Sequence, residues 1–181
     1  MQRFSLLFLI TAQLLMLFAP KLNGEEEKLR PIEITIEVKA PAAKAWQLWT
    51  TKEGLQKFFA KQALIELKPG GSLEVWFAPD APSGQRGAEG LKVLAYIPEQ
   101  VLVFEWNAPP KYPKARAKTT FIVIRFESMT NEMTRLRFTQ GGFAERSADA
   151  PDEKEEWIKT RQYLAQAWPQ VLANFKKVVE K

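Results

Sequence analysis

The chain has 181 residues, of which 46% are hydrophobic, 12% aromatic and 26% charged, and its formal net charge is +5. This composition is typical of a globular protein with a sizeable core, and the length suits one domain. Cysteine and histidine are absent, which excludes disulfides, thiolate chemistry, a Ser-His triad and the commonest zinc ligand.

The N-terminus differs from the rest of the chain. Residues 4–19 form an almost wholly apolar run after Arg3 and before Pro20 and Lys21. At about 1.5 Å per residue this run spans about 24 Å, less than the roughly 30 Å core of a bilayer. We therefore predict that residues 1–24 are a signal peptide and that the protein is exported, either to the periplasm or as a secreted protein. The cleavage site has one small residue where two are ideal, so a membrane tether through residues 4–19 stays open as the alternative.

The basic charge does not predict a nucleic-acid partner. Residues 1–24 contain two of the 26 basic residues and no acidic one, so the remainder has 24 basic and 21 acidic residues, a net charge of +3. The densest basic stretch comprises Lys111, Lys114, Arg116 and Lys118 and contains Pro113. It is typical of a solvated loop.

The first elements of the mature chain are a strand and two short helices. Residues 25–31 form an acidic, solvated leader, and the alternation of isoleucines with polar residues from residue 32 predicts a strand. Pro41 suits the first position of a helix that ends near Thr50 and Thr51. A second helix is predicted from Lys52 to Ala60.

Six short antiparallel strands follow, separated by turn residues. They are predicted at residues 63–68, 72–77, 91–97, 101–107, 119–127 and 134–140. Gly84, Gly87 and Gly90 lie between two of these strands without the strand-loop-helix context of a phosphate-binding loop, so we expect a flexible hairpin loop.

One long helix is predicted to end the chain. Asp152 is the expected N-cap. Apolar residues then recur at helical spacing and form a stripe on one face: Trp157, Leu164, Trp168, Val171, Phe175 and Val178. Pro169 is expected to kink this helix.

These elements, in the order β-α-α-β₆-α, resemble the START-like (SRPBCC, helix-grip) superfamily, to which the birch-pollen allergen belongs. Within it, five motifs in the same order resemble the family of the C-terminal domain of the activator of heat shock protein 90 ATPase: WTTKEGL at 49–55, LKPGG at 67–71, GLKVLAYIP at 90–98 with LVFEW at 102–106, TRLRFTQGGF at 134–143, and WPQVL at 168–172. Gln140 stands where many relatives have histidine, so an acid-base role at this position is not expected.

The resemblance implies an α+β helix-grip fold for residues 32–181. In this fold a curved antiparallel sheet of about seven strands wraps around the long C-terminal helix, and two short helices connect strands 1 and 2. Relatives hold apolar ligands in a gap between the sheet and the helix.

Strand alternation and the helical stripe identify the side chains that would face this gap. Ile122 belongs to this inward face. The residues that we assign to a ligand site are Trp49, Phe59, Leu102, Phe104, Trp106, Ile124, Phe126, Leu136, Phe138, Trp168 and Leu172, with Trp49 and Phe59 expected near the mouth. Whether these residues line a cavity or pack into a solid core stays open.

Three functions are compatible with this arrangement. The leading hypothesis is a non-enzymatic exported domain that binds a small hydrophobic or amphipathic molecule between sheet and helix. The first alternative is a protein-interaction domain, which the resembled family implies, with an envelope protein as partner. The second is a cyclase or dehydratase, for which Tyr96 is the one candidate because Glu105 falls on the outer face. Tyr96 would reach the interior if Leu94 and Tyr96, rather than Val93, Ala95 and Ile97, face inward. No catalytic residue, metal site or cofactor is assigned.

Overall fold

The computed structural model describes residues 24–181. Residues 1–23, with nearly all of the predicted signal peptide and the tether at 4–19, lie outside the described residues. The helices of the described part are α1 Gly24–Glu27, α2 Ala42–Thr50, α3 Lys52–Phe58, α4 Pro113–Arg116, α5 Phe143–Asp149 and α6 Lys154–Val179. The strands are β1 Ile32–Val38, β2 Gln62–Ile65, β3 Ser72–Trp76, β4 Gly87–Ile97, β5 Val101–Asn107, β6 Thr119–Thr130 and β7 Met133–Gly141.

The seven strands form one antiparallel sheet in the order β1-β7-β6-β5-β4-β3-β2. Along most of β5, β6 and β7 every second side chain is buried, as in the pair Leu102 and Ile124 and the pair Ile124 and Phe138. One face therefore packs against the rest of the domain and the other faces solvent. This confirms the predicted α+β fold and the predicted inward face.

The C-terminal helix α6 lies against the buried face of the sheet. The Trp168 ring lies 4.5 Å from that of Phe138 and 5.0 Å from that of Trp106, measured between centroids. The buried stripe of α6 comprises Trp157, Leu164, Trp168, Leu172, Phe175 and Val179. Val171 and Val178, predicted for this stripe, are only partly buried, because the stripe follows Leu172 and Val179 one position further along.

The connection between the two short helices depends on local contacts. Thr51 caps α3, with its hydroxyl accepting a hydrogen bond from the Gly54 N–H at 3.0 Å. Gly54 lets α3 approach α2 closely, since a Cβ atom there would lie 2.5 Å from the Leu48 Cα atom. The predicted second helix is thus confirmed, although it ends at Phe58. Pro41 is the N-cap residue of α2 and lies just outside it.

Several boundaries differ from the sequence-based prediction. Strand β4 starts at Gly87, inside the segment predicted to be a flexible loop, and Gly87 pairs with Trp76. Asp152 lies in a short 3₁₀ turn and does not cap α6, whose N-cap is Glu153 without a side-chain capping bond. The acidic segment before it contains the helix α5.

The leader and the basic loop are also more ordered than predicted. In the leader, Leu29 is buried, and the carbonyl of Arg30 accepts a hydrogen bond from Arg161 Nε at 3.0 Å. In the basic stretch, residues 113–116 form α4, and Arg116 is buried to a large extent. Both segments therefore belong to the folded domain.

A bulge in β4 decides the orientation of Tyr96. The register between β4 and β5 shifts between Val93 and Ala95, so Val93 pairs with Phe104 and Tyr96 pairs with Leu102. Val93 and Tyr96 consequently share the inner face, whereas Leu94 is exposed. Neither regular alternation considered for this strand is right, because a bulge moves later residues to the other face.

Candidate ligand-binding cleft

A cleft of about 180 Å³ lies between one end of the sheet and the middle of α6. Its inner wall includes buried side chains from β4, β5 and α6, whereas Phe77, Gln85, Pro110 and Tyr163 at its rim are exposed. The residues lining it are Phe59, Phe77, Ala78, Gln85, Arg86, Gly87, Ala88, Trp106, Asn107, Ala108, Pro109, Pro110, Arg116, Tyr163, Leu164, Ala167, Trp168 and Val171. Most of this surface is apolar.

Three aromatic rings from separate elements form the inner end of the cleft. Phe59, directly after α3, stacks on Trp106 of β5 with a centroid distance of 5.6 Å and an angle of 11° between the rings. Trp168 of α6 lies 5.6 Å from Phe59. Each ring contacts the other two, so the aromatic wall is fixed by packing on all sides.

A chain of buried polar groups orients Trp168. Its indole Nε1 donates to Gln140 Oε1 at 2.7 Å, and Gln140 Nε2 donates to Thr120 Oγ1 at 2.9 Å. The Thr120 hydroxyl donates in turn to the Trp106 carbonyl at 2.9 Å. Gln140 is fully buried, and it holds the Trp168 ring against the sheet. Its role here is to position the wall of the cleft.

The polar part of the cleft lining, its polar end, carries two arginines, Arg86 and Arg116. Arg116 donates from Nη1 to the Ala108 carbonyl at 2.6 Å and from Nη2 to the Gly87 carbonyl at 2.7 Å. Arg86 lies 4.0 Å from the centroid of the Trp76 ring and donates from Nε to Glu89 Oε1 at 2.7 Å. These bonds tie the start of β4 to the end of β5 and to α4.

Glu89 is the acidic partner of both guanidinium groups. Its side chain is 10% exposed and lies 3.7 Å from Arg116 Nη2. Burial acts to raise the pKa of Glu89, but hydrogen bonds from the Arg86 side chain and from the Gly84 and Arg86 backbones outweigh it, so the pKa is lowered. Burial lowers the pKa of Arg116, opposed by the charge of Glu89, and the guanidinium stays protonated at neutral pH.

Three of the residues predicted from the sequence line this cleft: Phe59, Trp106 and Trp168. The structure brings them into mutual contact. The other eight are buried in the packed interior and do not line it: Trp49, Leu102, Phe104, Ile124, Phe126, Leu136, Phe138 and Leu172.

Trp49 does not lie near the mouth as expected. It is 1% exposed and packs against Phe58 and Phe175, with centroid distances of 4.9 and 5.7 Å. Phe175 belongs to the last turns of α6, whereas the cleft borders the segment from Tyr163 to Val171. Trp49 therefore fills the interior beside the last turns of α6, where its ring lies 5.8 Å from that of Phe59.

The two polar residues considered for catalysis lie away from the cleft lining. Tyr96 is half-buried on the inner face, 6.2 Å from the ring of Trp46. Glu105 lies on the outer face, as expected, and accepts hydrogen bonds from the Lys92 N–H at 3.0 Å and from Thr119 Oγ1 at 3.3 Å. Neither contributes a carboxylate or phenol to the cleft.

Sequence reasoning did not identify the rim and the polar end. Tyr163, Ala167 and Val171 occupy the α6 turns that flank Trp168, and helical spacing alone could have assigned them to the cleft. Arg86 and Arg116 carried no such signal, because their positions follow from the β4 start and from the unpredicted helix α4.

The part of the chain from residue 24 onward contains no group of three or more acidic side chains suited to hold a metal ion. Among its helices, none is both long and apolar enough to cross a membrane.

The antiparallel sheet around one long helix, with a cleft between them, defines a START-like helix-grip protein. A family model described as "Activator of Hsp90 ATPase homolog 1-like protein" matches residues 39–180. The chain belongs to this family. No curated protein matches it.

Solved structures share the fold at low sequence identity. A protein from Mesorhizobium loti is 17% identical with a TM-score of 0.61, over 82% of this chain and 95% of that one. A conserved protein of unknown function from Enterococcus faecalis is 19% identical with a TM-score of 0.60, over 83% of this chain and 71% of that one. The Aha1 dimer of Colwellia psychrerythraea is 21% identical with a TM-score of 0.57, over 83% of this chain and 96% of that one.

Proposed function

We propose that this domain is a non-enzymatic binding protein for a small hydrophobic or amphipathic molecule, held in the cleft between the sheet and α6. The observation that carries the proposal is the cleft itself, which has about 180 Å³ of space beside three packed aromatic rings. An apolar cavity of about 150 Å³ is large enough to bind benzene. The expected ligand therefore has one ring or a short acyl chain in contact with Trp106 and Trp168.

The chemistry of the lining supports binding without turnover. The cleft is bordered by apolar side chains, two arginines, Asn107 and Gln85, with the Tyr163 phenol at the exposed rim. General acid-base catalysis needs a group that can gain and lose a proton near neutral pH. Arginine, asparagine and glutamine side chains do not titrate there.

The proposed setting is outside the cytoplasm. The apolar segment at residues 4–19 would direct export and, if it is not removed, would tether the domain to the membrane. A chain without cysteine needs no oxidative folding in that compartment, and its stability comes from the packed core. The domain would then sequester or carry its ligand in the periplasm or at the cell surface.

The binding proposal is tested by filling the cleft. Ala167 lines it, so Ala167→Phe adds a phenyl ring, which is about the size of benzene, to a space of about 180 Å³. The wild-type protein is titrated calorimetrically with phenylacetate, phenylacetamide and hexanoate. We expect at least one of these probes to bind the wild type and to lose affinity at least tenfold in Ala167→Phe.

Gln166→Phe is the matched control, because Gln166 is exposed on the neighbouring position of the same helix and does not line the cleft. It should bind as the wild type does. The proposal is wrong if no probe binds the wild type, or if both phenylalanine variants bind like it.

A second candidate function, protein interaction, is favoured by the outer face of the sheet. Ile97 and Phe121 are 51% and 41% exposed, and the half-buried Val103 pairs with Val123 between them. We propose this face as a contact for an envelope protein. Cross-linking of the wild-type protein in envelope extract should give a specific adduct, and Val103→Lys should not form it. If the wild type and Val103→Lys form the same adduct, the outer face of the sheet is not the partner contact.

A further inference from the structure

We propose that the cleft selects small amphipathic anions, with a carboxylate bound by Arg86 and Arg116 and an apolar ring or short chain against Trp106 and Trp168. This inference rests on the proposed binding function and adds the chemical class of the ligand. It follows from the charge, the free donor capacity and the size of the two ends of the cleft.

The charge at the polar end is positive. Arg86 and Arg116 are the charged residues of the cleft lining, and the Glu89 carboxylate contacts both of their guanidinium groups. Two guanidinium groups against one carboxylate give a net charge of +1. At the rim, Lys111 Nζ lies 4.3 Å from the centroid of the Tyr163 ring and adds a further positive charge.

The guanidinium groups have donors beyond those that hold the fold together. Each guanidinium has five N–H donors. Arg116 uses Nη1 and Nη2 for the carbonyls of Ala108 and Gly87, and Arg86 directs Nε and Nη2 to Glu89. Both groups therefore have N–H donors left for a further acceptor, and both are already held in place by their structural bonds.

The surroundings of the arginines strengthen an ionic contact. The side chains of Arg86 and Arg116 are 25% and 14% exposed, so a carboxylate beside them would be partly removed from water. Charge-assisted hydrogen bonds are about twice as strong as neutral ones, and arginine can bind a carboxylate with two parallel bonds. A neutral amide of the same shape would lose most of this contribution.

The apolar end limits the length of the ligand. A volume of about 180 Å³ accommodates a single ring but not a long acyl chain. This favours a small free carboxylate over the headgroup and chains of a membrane lipid. Vesicles containing phosphatidylglycerol therefore serve as the test of the lipid source.

The experiment compares phenylacetate with its neutral amide, phenylacetamide, and with the cation phenethylamine, by calorimetric titration of the full domain at low and high salt. We expect phenylacetate to bind about tenfold more tightly than phenylacetamide, and phenethylamine to bind more weakly than both. The advantage of the carboxylate should decrease at high salt because the contact is partly exposed.

Two variants change the local charge in opposite directions. Arg86→Gln should reduce the preference for the carboxylate, measured as the ratio of the phenylacetate and phenylacetamide affinities of the same variant, to less than threefold, whereas Glu89→Gln should increase this ratio severalfold. Arg125→Gln removes the same charge from an exposed position on the outer face of the sheet and should preserve the preference.

The outcomes separate this inference from the binding proposal. Equal binding of phenylacetate and phenylacetamide would overturn the anion preference and leave cleft binding intact. Failure of every probe to bind would overturn both. Tighter binding to phosphatidylglycerol vesicles than to phenylacetate, or equal effects of Arg86→Gln and Arg125→Gln, would also overturn the inference.

Discussion

The buried polar chain behind the cleft predicts a measurable energetic coupling between Gln140 and Trp168. Gln140→Leu keeps a side chain of similar size but leaves the Trp168 indole N–H, which now donates to Gln140 at 2.7 Å, without its acceptor. Trp168 is 2% exposed, so water does not readily replace the lost partner. An unsatisfied buried donor costs about 1–3 kcal/mol. We expect Gln140→Leu to lower the free energy of unfolding by about 2 kcal/mol.

The double variant separates this hydrogen bond from the loss of packing. Trp168→Phe alone leaves the Gln140 carbonyl unpaired and also removes ring volume. When both partners are replaced, no buried polar group is left without a hydrogen-bond partner. Loss of the hydrogen bond itself then changes the free energy of unfolding little. The sum of the losses of unfolding free energy in the two single variants should therefore exceed the loss in the double variant by at least about 1 kcal/mol.

Urea unfolding of the four proteins, extrapolated linearly to water, measures this coupling. Trp49→Phe supplies the control, because within residues 24–181 the Trp49 indole N–H has no hydrogen-bond partner. Its effect should add to that of Gln140→Leu. Additivity of Trp168→Phe and Gln140→Leu within about 0.3 kcal/mol would refute the role given to Gln140.

Three further predictions concern stability elsewhere in the domain. The pKa of Glu89 is lowered on folding, so its carboxylate stabilises the fold above the unfolded pKa and loses this effect as the pH falls through the folded pKa. The difference in melting temperature between the wild type and Glu89→Gln should therefore shrink as the pH is lowered from about 6 to about 3. A constant difference would contradict the stabilising role of the Glu89 carboxylate. Gly54→Ala should lower the free energy of unfolding, measured in urea, by about 1–3 kcal/mol. The new Cβ would lie 2.5 Å from Leu48 Cα, and the cost of this clash exceeds the gain in helix propensity. A more stable variant would show that α2 and α3 can separate at no cost. Pro169 is exposed inside α6, so Pro169→Ala should restore a helical hydrogen bond and stabilise by about 2 kcal/mol, and a lower melting temperature would contradict this.

Much of the fold could be predicted because its elements have strict periodicity. The alternation in β5 identified Leu102, Phe104 and Trp106 as one buried face, and the pattern in α6 identified Trp168. These residues meet in the structure because a sheet with one apolar face and a helix with one apolar stripe bury both surfaces against each other. Local sequence therefore carried most of the information needed for the architecture.

The site was less predictable because it depends on contacts between distant segments. Gly87 looks like a turn residue, yet it lies within the sheet, where a Cβ atom would be 2.1 Å from the Val75 carbonyl oxygen. This early start of β4 brings Arg86 to the cleft. Arg116 reaches the same place through α4, which is too short to produce a helical pattern.

Strand alternation predicts which side chains face inward, but it does not predict which of these side chains line the cleft. Phe104 and Trp106 lie on the same face of β5, but only Trp106 lines the cleft. The difference arises from the path of α6, which packs on β5 and β7 through Trp168 and leaves space near Tyr163. Such differences of a few ångströms are set by the whole packing arrangement rather than by strand alternation.

The most direct measurement of ligand binding is an NMR titration that follows the indole N–H signals of the six tryptophans. Trp106 and Trp168 line the cleft, whereas Trp46 and Trp157 are buried outside it. Addition of phenylacetate should shift the Trp106 and Trp168 signals in a saturable way and leave those of Trp46 and Trp157 nearly unchanged. Saturation without a shift at Trp106 and Trp168, or with the largest shifts at Trp46 and Trp157, would contradict a binding site between the sheet and the C-terminal helix.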